Sequence, residues 1–276
     1  GSVIVALPSI ADHFGTDLPT TQWIVIGYAL TISALLLPMG RLSDIAGRKR
    51  VYVAGFIIFI AGGFAAGTST HIMLLILSKL LQGAGAAMTQ GTGMAMIVSA
   101  FPGQERGKAL GLHMSVVGTG GVAGPAIGGL LVGELGWRWV FFGSMLPGAL
   151  AIVAALLVLE ERRSTEEDGR APRFDWPGAA LSTGVLVAFL LGMTSGPSIG
   201  WSSPLMAVAM TSFVCMLGGF IWWELRTPAP MMDLTLFRRR LFSLGVIAGF
   251  ISFLGGSSVR FLMPFYLQAG LGYSPS

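Results

Sequence analysis

The chain has 276 residues, of which 53% are hydrophobic and only 11% are charged, with 40 glycines and a formal net charge of +4. A soluble domain carries about 25% charged residues, so this composition excludes an ordinary water-soluble domain. The single cysteine, Cys215, excludes an internal disulfide, and its place in an apolar run is typical of a small packing residue.

Long apolar runs predict nine membrane-spanning helices, the first of them partial, because a run of about 18 residues is long enough to cross a bilayer. In chain order they are expected near 3–10, 21–39, 51–69, 72–100, 108–133, 139–159, 177–200, 204–223 and 242–268. Glycine and proline within these runs do not argue against helix, since neighbouring helices satisfy the backbone groups that they free. The predicted fold class is an all-α membrane protein.

The placement of the cations predicts which connections face the cytoplasm. Fourteen of the 17 lysines and arginines fall in alternate connections, namely Arg41, Arg48, Lys49, Arg50, Arg106, Lys108, Arg162, Arg163, Arg170, Arg173, Arg226, Arg238, Arg239 and Arg240. Cytoplasmic loops are enriched in lysine and arginine, so the loops near 45, 105, 165 and 235 are expected in the cytoplasm. A nucleic acid partner is not expected, because the cations do not share one solvated domain.

The longest hydrophilic segment, 160–176, divides the predicted spans into six and three. Its mixed charges predict a solvated cytoplasmic linker, since it is too short to form a folded domain with a core. The chain opens inside an apolar stretch without an initiator methionine. We interpret it as an internal fragment of a longer protein.

Several short motifs, in order along the chain, resemble those of one transporter family. "GRLSDIAGRK" (40–49) resembles the loop between helices two and three of the major facilitator superfamily, and "LILSKLLQGAGAA" (75–87) resembles its fourth-helix motif. "GGVAGPAIGGLL" (120–131) resembles its fifth-helix antiporter motif. "GWRWVFF" (136–142) and "PFYLQAGLGYSP" (264–275) are similar to the fourteen-span drug:proton antiporter branch, the EmrB/QacA type.

The resemblance implies a major facilitator fold, in which two six-helix halves flank two helices that this branch inserts between them. On that pattern, residues 1–159 form the N-terminal half, 160–176 the linker and 177–223 the inserted pair. Residues 242–276 then supply the first helix of the C-terminal half, whose remaining helices would follow the end of the chain.

The motif at 40–49 has residues suited to a gate, which is a contact that forms in one conformational state and breaks in another. Gly40 and Gly47 permit a tight turn or a close helix approach, and Asp44 and Arg48 are spaced to pair if the segment is helical. An exposed pair contributes only about 0.3–0.5 kcal/mol, so we expect a breakable latch. The resemblance implies that the motif holds one closed state by contacting the other half. The alternative, a loop that only fixes topology, explains the cations but neither Asp44 nor the glycines.

The fifth-helix motif combines small residues with a proline. Gly120, Gly124 and Gly128, followed by Gly129, give a smooth helix face that allows neighbouring helices to approach closely. Pro125 removes a backbone donor and can kink the helix. The resemblance to the antiporter motif implies export by exchange. The alternative is that the motif serves helix packing alone.

Lys79 lies about seven residues inside the fourth span, roughly 10 Å from its outer boundary. A charge at that depth predicts a functional site, and the resembling motif has arginine there. Gln90, eleven residues on, falls on the same helix face, and Gln82 is a further candidate for cavity lining or proton coupling. The alternative is that Lys79 extends to the outer interface. Arg260, in the ninth span, has the same two alternatives.

The acidic residues leave a gap in this scheme. None of the 13 acids lies inside a predicted span, whereas a proton-driven exporter commonly needs a buried carboxylate. The resemblance implies that an acid on the first helix precedes Gly1.

The sequence therefore predicts a proton-coupled exporter of small amphipathic compounds, often cationic drugs or dyes, in the bacterial inner membrane. Expected partners are the substrate, protons, the lipid bilayer and, for the full-length protein, accessory efflux proteins; no cofactor or metal is expected. One alternative is export of a specific endogenous metabolite by the same fold. A membrane-embedded enzyme is disfavoured because no nucleophile–base pair or ligand cluster lies in the spans, and a channel is disfavoured by the exchanger-like fifth-helix motif.

Overall fold

The computed structural model describes residues 2–160 and 174–265, apart from the side chains of residues 198 and 259–265. This part of the chain is helical, without strands. The helices are α1 (Ser2–Phe14), α2 (Leu18–Ala46), α3 (Arg48–Gly67), α4 (Ile72–Ala100), α5 (Arg106–Leu135), α6 (Trp139–Gly143), α7 (Met145–Val158), α8 (Trp176–Ile199), α9 (Pro204–Glu224) and α10 (Arg240–Phe265), with a 3₁₀ turn at Leu234–Arg238.

Within the described residues, eight helical segments are long and apolar enough to cross a membrane when α6 and α7 are counted as one span, and α1 is a shorter apolar helix. These eight are the second to ninth predicted spans, and α1 is the partial first span. The predicted fold class, an all-α membrane protein, is confirmed.

The structure differs from the predicted spans in two places: the end of the second span was wrong, and the sixth span is not one continuous helix. The second span was expected to end near residue 39, with a loop near 45, but α2 continues to Ala46 and the connection consists of Gly47 alone. Charged residues ended the apolar run without ending the helix, and Gly47 makes the turn at a φ of 101°. The sixth span, expected as one helix, is divided at Ser144, whose hydroxyl donates to the carbonyl of Phe141 at 2.7 Å.

Small residues bring α4 against the backbones of its neighbours. A β-carbon at Gly85 would lie 2.5 Å from the carbonyl oxygen of Gly55 and from the amide nitrogen of Phe59 in α3. On the other side of α4, a β-carbon at Gly83 would lie 2.9 Å from the carbonyl oxygen of Tyr28 in α2. Close approach through small residues is the usual way in which membrane helices associate. Helix α4 is therefore the centre around which α2 and α3 pack.

The inserted pair packs on the first bundle. Helices α8 and α9 contact each other, and α8 also contacts α2, where the hydroxyl of Thr183 donates to the carbonyl of Ala34 at 3.2 Å. Helix α10 contacts the 3₁₀ turn before it, and its large apolar side chains from Leu241 to Leu254 are exposed.

Long-range contacts identify the two ends of the bundle. We define the basic end as the one that holds Gly47, Leu159 and the connection 225–233. There, the ammonium of Lys49 donates to the carbonyls of Leu156 at 2.9 Å and Leu159 at 2.6 Å, which joins the start of α3 to the end of α7.

The opposite end holds the connections 15–17, 68–71 and 136–138. Arg138 lies there 3.3 Å from the Nε2 atom of His13 and donates to the carbonyl of Ser69 at 3.5 Å. The guanidinium also stacks 4.4 Å from the centroid of the Trp137 ring. Successive spans, with α6 and α7 counted as one, thus alternate in direction between the two ends.

Candidate functional site

A cavity of about 200 Å³ lies between α1, α2, α3, α4 and α6. Its polar and aromatic lining includes Ser2, Tyr28, Lys79, Gln82, Phe141 and Ser144. The remaining lining is apolar. This combination of an apolar wall with a few convergent polar groups is typical of a small-molecule site.

Lys79 is the charged residue of this cavity. Its side chain is 5% exposed, and its ammonium donates to the Oε1 atom of Gln82 at 2.5 Å. The ammonium also lies 4.0 Å from the centroid of the Tyr28 ring and 5.8 Å from that of Phe141. Aromatic faces attract cations, most strongly where water is excluded. The side chain is therefore held inside the bundle, among α2, α4 and α6.

The ammonium of Lys79 has unused hydrogen-bonding capacity. It has three donors, and one of them is used by Gln82. Among the described residues, Lys79 takes part in no ion pair. The cavity therefore presents a positive charge that an incoming acceptor or anion can approach.

The other candidates for the cavity fall in different places. Gln82 is 2% exposed and lines the cavity beside Lys79. Gln90 is exposed and does not line it, because eleven residues of helix rise about 16 Å, further than so small a cavity extends. Arg260 lies in α10, but its side chain is outside the described residues.

The motif for which a gating role is predicted, called the gating motif below, is organised around Arg48. This residue donates from Nη2 to the Oδ1 atom of Asp44 at 3.0 Å and from Nε to the same oxygen at 3.2 Å. Its Nη1 atom donates to the hydroxyl of Ser99 at 2.7 Å and to the carbonyl of Ala95 at 3.3 Å. Arg48 thus joins the ends of α2 and α4 across the Gly47 turn. The side chains of Asp44 and Arg48 are 40% and 33% exposed, so water still reaches the pair.

The two glycines of the motif have different roles. Gly47 adopts the positive φ that makes the turn between α2 and α3. Gly40 lies inside α2 where α4 crosses it, but a β-carbon at Gly40 would have no neighbour within 4 Å among the described atoms, so the small residue that this crossing requires is Gly91 of α4. A β-carbon at Gly91 of α4 would lie 3.1 Å from the amide nitrogen of Gly40 and from the carbonyl oxygen of Leu36.

The fifth-helix motif forms the contact between α5 and α1. The hydroxyl of Ser2 donates to the carbonyl of Gly124 at 2.7 Å, and a β-carbon at Gly128 would lie 2.7 Å from the Cα atom of Ser2. A β-carbon at Gly129 would be 3.9 Å from Val5, whereas one at Gly120 would have no neighbour within 4 Å among the described atoms. The small face therefore supports α1 over part of its length.

Pro125 lies inside α5, which continues on both sides of it from Arg106 to Leu135. The missing amide hydrogen therefore does not end this helix. The proline stands next to Gly124, whose carbonyl accepts the hydroxyl of Ser2. This point of α5 is thus both the place of its proline and a contact point with α1.

Two buried carboxylates at the basic end were missed by the sequence reasoning. Asp175 is 8% exposed and Glu224 is 5% exposed. The carboxylate of Asp175 accepts from the amide of Gly178 at 3.0 Å and from the indole nitrogen of Trp223 at 2.9 Å. "DWP" at 175–177 could have indicated it, since aspartate before a proline is a common helix start. Glu224 ends α9 just past the predicted span, and no sequence signal indicated that it is buried.

The comparison with protein families identifies the family to which this chain belongs. The family model described as Major Facilitator Superfamily matches residues 1–276. The chain belongs to the major facilitator superfamily.

Similar members of the superfamily include transporters with different cargoes. The chain is 34% identical to the multidrug resistance protein Stp of Mycobacterium tuberculosis, with 99% of the chain and 50% of that protein covered. It is 34% identical to a probable actinorhodin transporter of Streptomyces coelicolor, with 99% and 48% covered. It is 32% identical to the riboflavin transporter RibZ of Clostridioides difficile, with 100% and 59% covered. The chain thus spans about half the length of these relatives.

Among solved structures, the chain resembles a bacterial homologue of the human lysosomal transporter Spinster in an inward-facing, occupied conformation. The TM-score is 0.55 at 21% sequence identity, with 100% of this chain and 64% of that chain covered. At this identity the similarity concerns the fold alone. The major facilitator fold, predicted from the motifs, is thereby confirmed for this multi-pass membrane protein.

Proposed function

We propose that this superfamily member is part of a proton-coupled exporter of small amphipathic compounds in the bacterial inner membrane. The observation that carries the proposal is the buried ammonium of Lys79, which lies in an aromatic-lined cavity on the fourth-helix motif. A buried charge in a membrane bundle is costly and marks a substrate or ion pathway. The names of Stp and of the tetracenomycin C resistance and export protein of Streptomyces glaucescens support export.

The geometry suggests how coupling would arise. Lys79 lies in a low-dielectric cavity, where a proton or charged substrate nearby acts on it far more strongly than in water. The contact of α1 with Gly124 and Gly128 is smooth and held by a single described hydrogen bond, which suits two helices that shift relative to each other. The Asp44–Arg48 pair is partly exposed to water, so it can break and form again at small cost.

A second candidate is the export of one specific metabolite by the same fold. The observation that favours it is the relative named as a riboflavin transporter, at 32% identity over the whole chain. In this alternative the aromatic rings beside Lys79 stack on one planar cargo molecule.

A dye-efflux panel tests the proposal in cells that carry the full-length protein. We expect several structurally unrelated dyes or drugs to leave the cells, and an uncoupler to stop their efflux. Efflux of a single compound supports the metabolite alternative. Efflux that persists with the uncoupler contradicts proton coupling.

Removal of the negative charge of Asp44 in the gating motif provides a second test. Asp44→Asn in the full-length protein is expected to reduce transport severalfold, because the carboxylate that receives Arg48 is lost. Insertion and expression are expected to remain normal, since Arg48 keeps Ser99 and Ala95 as partners. Asp44→Glu, which keeps the charge, is the control and should transport better than Asp44→Asn. Normal efflux by Asp44→Asn at normal expression contradicts the latch.

Sidedness is tested by thiol labelling of single cysteines in a Cys215→Ser background. Gln104→Cys and Thr235→Cys lie at the basic end, whereas His71→Cys and Ser202→Cys lie in connections of the opposite end, and all four residues are exposed. An impermeant thiol reagent added to intact cells is expected to label only the last two, since the basic connections are proposed to be cytoplasmic. External labelling of residue 104 or 235 would show that the orientation is wrong.

A further inference from the structure

The connection after α9 is folded back and held by one side chain. Glu224, the last residue of α9, accepts the backbone amide of Met231 on Oε1 at 3.2 Å and that of Met232 on Oε2 at 3.3 Å. Both carboxylate oxygens are thus occupied by the same short stretch of backbone. Because Glu224 is 5% exposed, these bonds are shielded from water and cannot easily be replaced by it.

We call Glu224 and the two amides that it holds, those of Met231 and Met232, the clasp, and the clasped stretch shares a cavity with the gating motif. Met231 is 7% exposed and, together with Gly40, Arg41 and Asp44 of α2 and Gly91 of α4, lines a cavity of about 370 Å³. Of these residues, Gly40 and Gly91 lie where α2 and α4 cross closely. The chain that leads from the inserted pair to α10 therefore faces the gating motif across this cavity before it continues to α10.

Two other charged residues, Asp175 and Arg41, lie close to the Glu224 carboxylate. Asp175 and Glu224 lie on either side of Gly178, where a β-carbon would be 2.9 Å from the Cγ atom of Asp175 and 3.2 Å from the Oε1 atom of Glu224. Two buried carboxylates this close repel each other. Arg41 of α2 attracts the Glu224 carboxylate, and its Nε atom is buried without a hydrogen-bond partner among the described residues.

We infer that Glu224 is a positioning residue for transport, which clasps the connection 225–233 so that Met231 faces the gating motif of α2 across their shared cavity. The clasp links three parts of the molecule: the inserted pair, the gate and the start of α10. Loss of the clasp would then release Met231 from the cavity that it shares with the gating motif. Only the transport readout of this inference rests on the proposed function.

Asp233 provides a matched control, because it is an acid of the same connection without a role in the clasp. Its carboxylate accepts from the amide of Thr235 at 2.9 Å and from the hydroxyl of Thr235 at 2.6 Å. These hydrogen bonds hold the pKa of the Asp233 carboxyl below its usual value. Asp233 is exposed, so Asp233→Asn should affect the 3₁₀ turn and leave Met231 in place.

Thiol labelling tests the clasp itself in the full-length protein. Met231→Cys in a Cys215→Ser background is expected to react slowly with a membrane-permeant maleimide, because residue 231 is buried. Adding Glu224→Ala or Glu224→Gln is expected to raise the labelling rate by about tenfold, since alanine removes both acceptors and glutamine keeps only one. Asp233→Asn is expected to leave the rate unchanged. Slow labelling in the Glu224→Ala background would overturn the clasp.

Transport kinetics test whether the clasp acts on the gate. Glu224→Gln is expected to lower the maximal transport rate severalfold at unchanged KM, because Glu224 does not line the cavity of Lys79, and Glu224→Asp should restore part of the rate. A released Met231 with a normal maximal rate would overturn the positioning role. A parent protein that transports nothing from the panel would count against the proposed function, while the labelling rates would still decide the clasp.

Discussion

Replacing Lys79 with glutamine is expected to lower uncoupler-sensitive efflux more than about tenfold, an effect of about 1.4 kcal/mol or more on the transport barrier. Glutamine has a similar reach but no charge, so the attraction to the Tyr28 ring at 4.0 Å is lost. The field of the ammonium in the cavity is lost with it. The protein should still insert, because an uncharged polar residue costs less to bury in a membrane bundle than an ammonium.

Lys79→Arg is the matched control for this substitution. Arginine keeps the positive charge and can stack on the same aromatic ring, so much of the activity should remain. Initial efflux rates of the parent and both variants, at equal expression, give the comparison. If Lys79→Gln matched the parent in uncoupler-sensitive efflux, the ammonium would have no part in transport or coupling.

Gly85→Ala is expected to have the largest effect on stability. The new β-carbon would lie 2.5 Å from backbone atoms of Gly55 and Phe59, which cannot rotate away as a side chain can. The crossing of α3 and α4 must open to admit the methyl group, at a cost of about 3 kcal/mol. The purified protein in detergent should show a clearly lower Tm and a smaller folded fraction.

Gly93→Ala serves as the control on the same helix. A β-carbon at Gly93 would have the Tyr52 ring as its nearest neighbour, at 3.6 Å, an ordinary van der Waals contact. This variant should be at least as stable as the parent, since alanine also favours helix over glycine. Equal Tm values for the two alanine variants would contradict the close backbone crossing.

The number and order of the helices could be predicted because the bilayer imposes its thickness on every apolar run. The exact ends could not, because a helix at the membrane surface continues through charged residues until its backbone meets a turn. Helix α2 therefore ends at Ala46, before Gly47, rather than where its apolar run stops. The break at Ser144 depends on packing and has no equivalent in the hydropathy pattern.

The sequence could predict those parts of the candidate site that depend on a single helix. The depth of Lys79 in its span indicated a functional charge, with Gln82 as a further candidate, and the structure places both in one cavity. Helical periodicity also assigned Gln90 to this face, but the extent of the cavity depends on α1 and α6. Glu224 could not be found in this way, since its burial results from a connection that returns seven residues later to Met231.

The central claim, proton-coupled export, is tested most directly by flux in vesicles reconstituted with the full-length protein. A pH gradient is imposed, and the movement of a dye selected from the efflux panel is followed before and after the gradient is collapsed. We expect the dye to accumulate against its own concentration gradient, in the direction opposite to proton flow, and to stop doing so when the pH difference is removed. Dye movement that only follows its own concentration difference, with or without the pH gradient, would contradict the account and indicate a passive pathway.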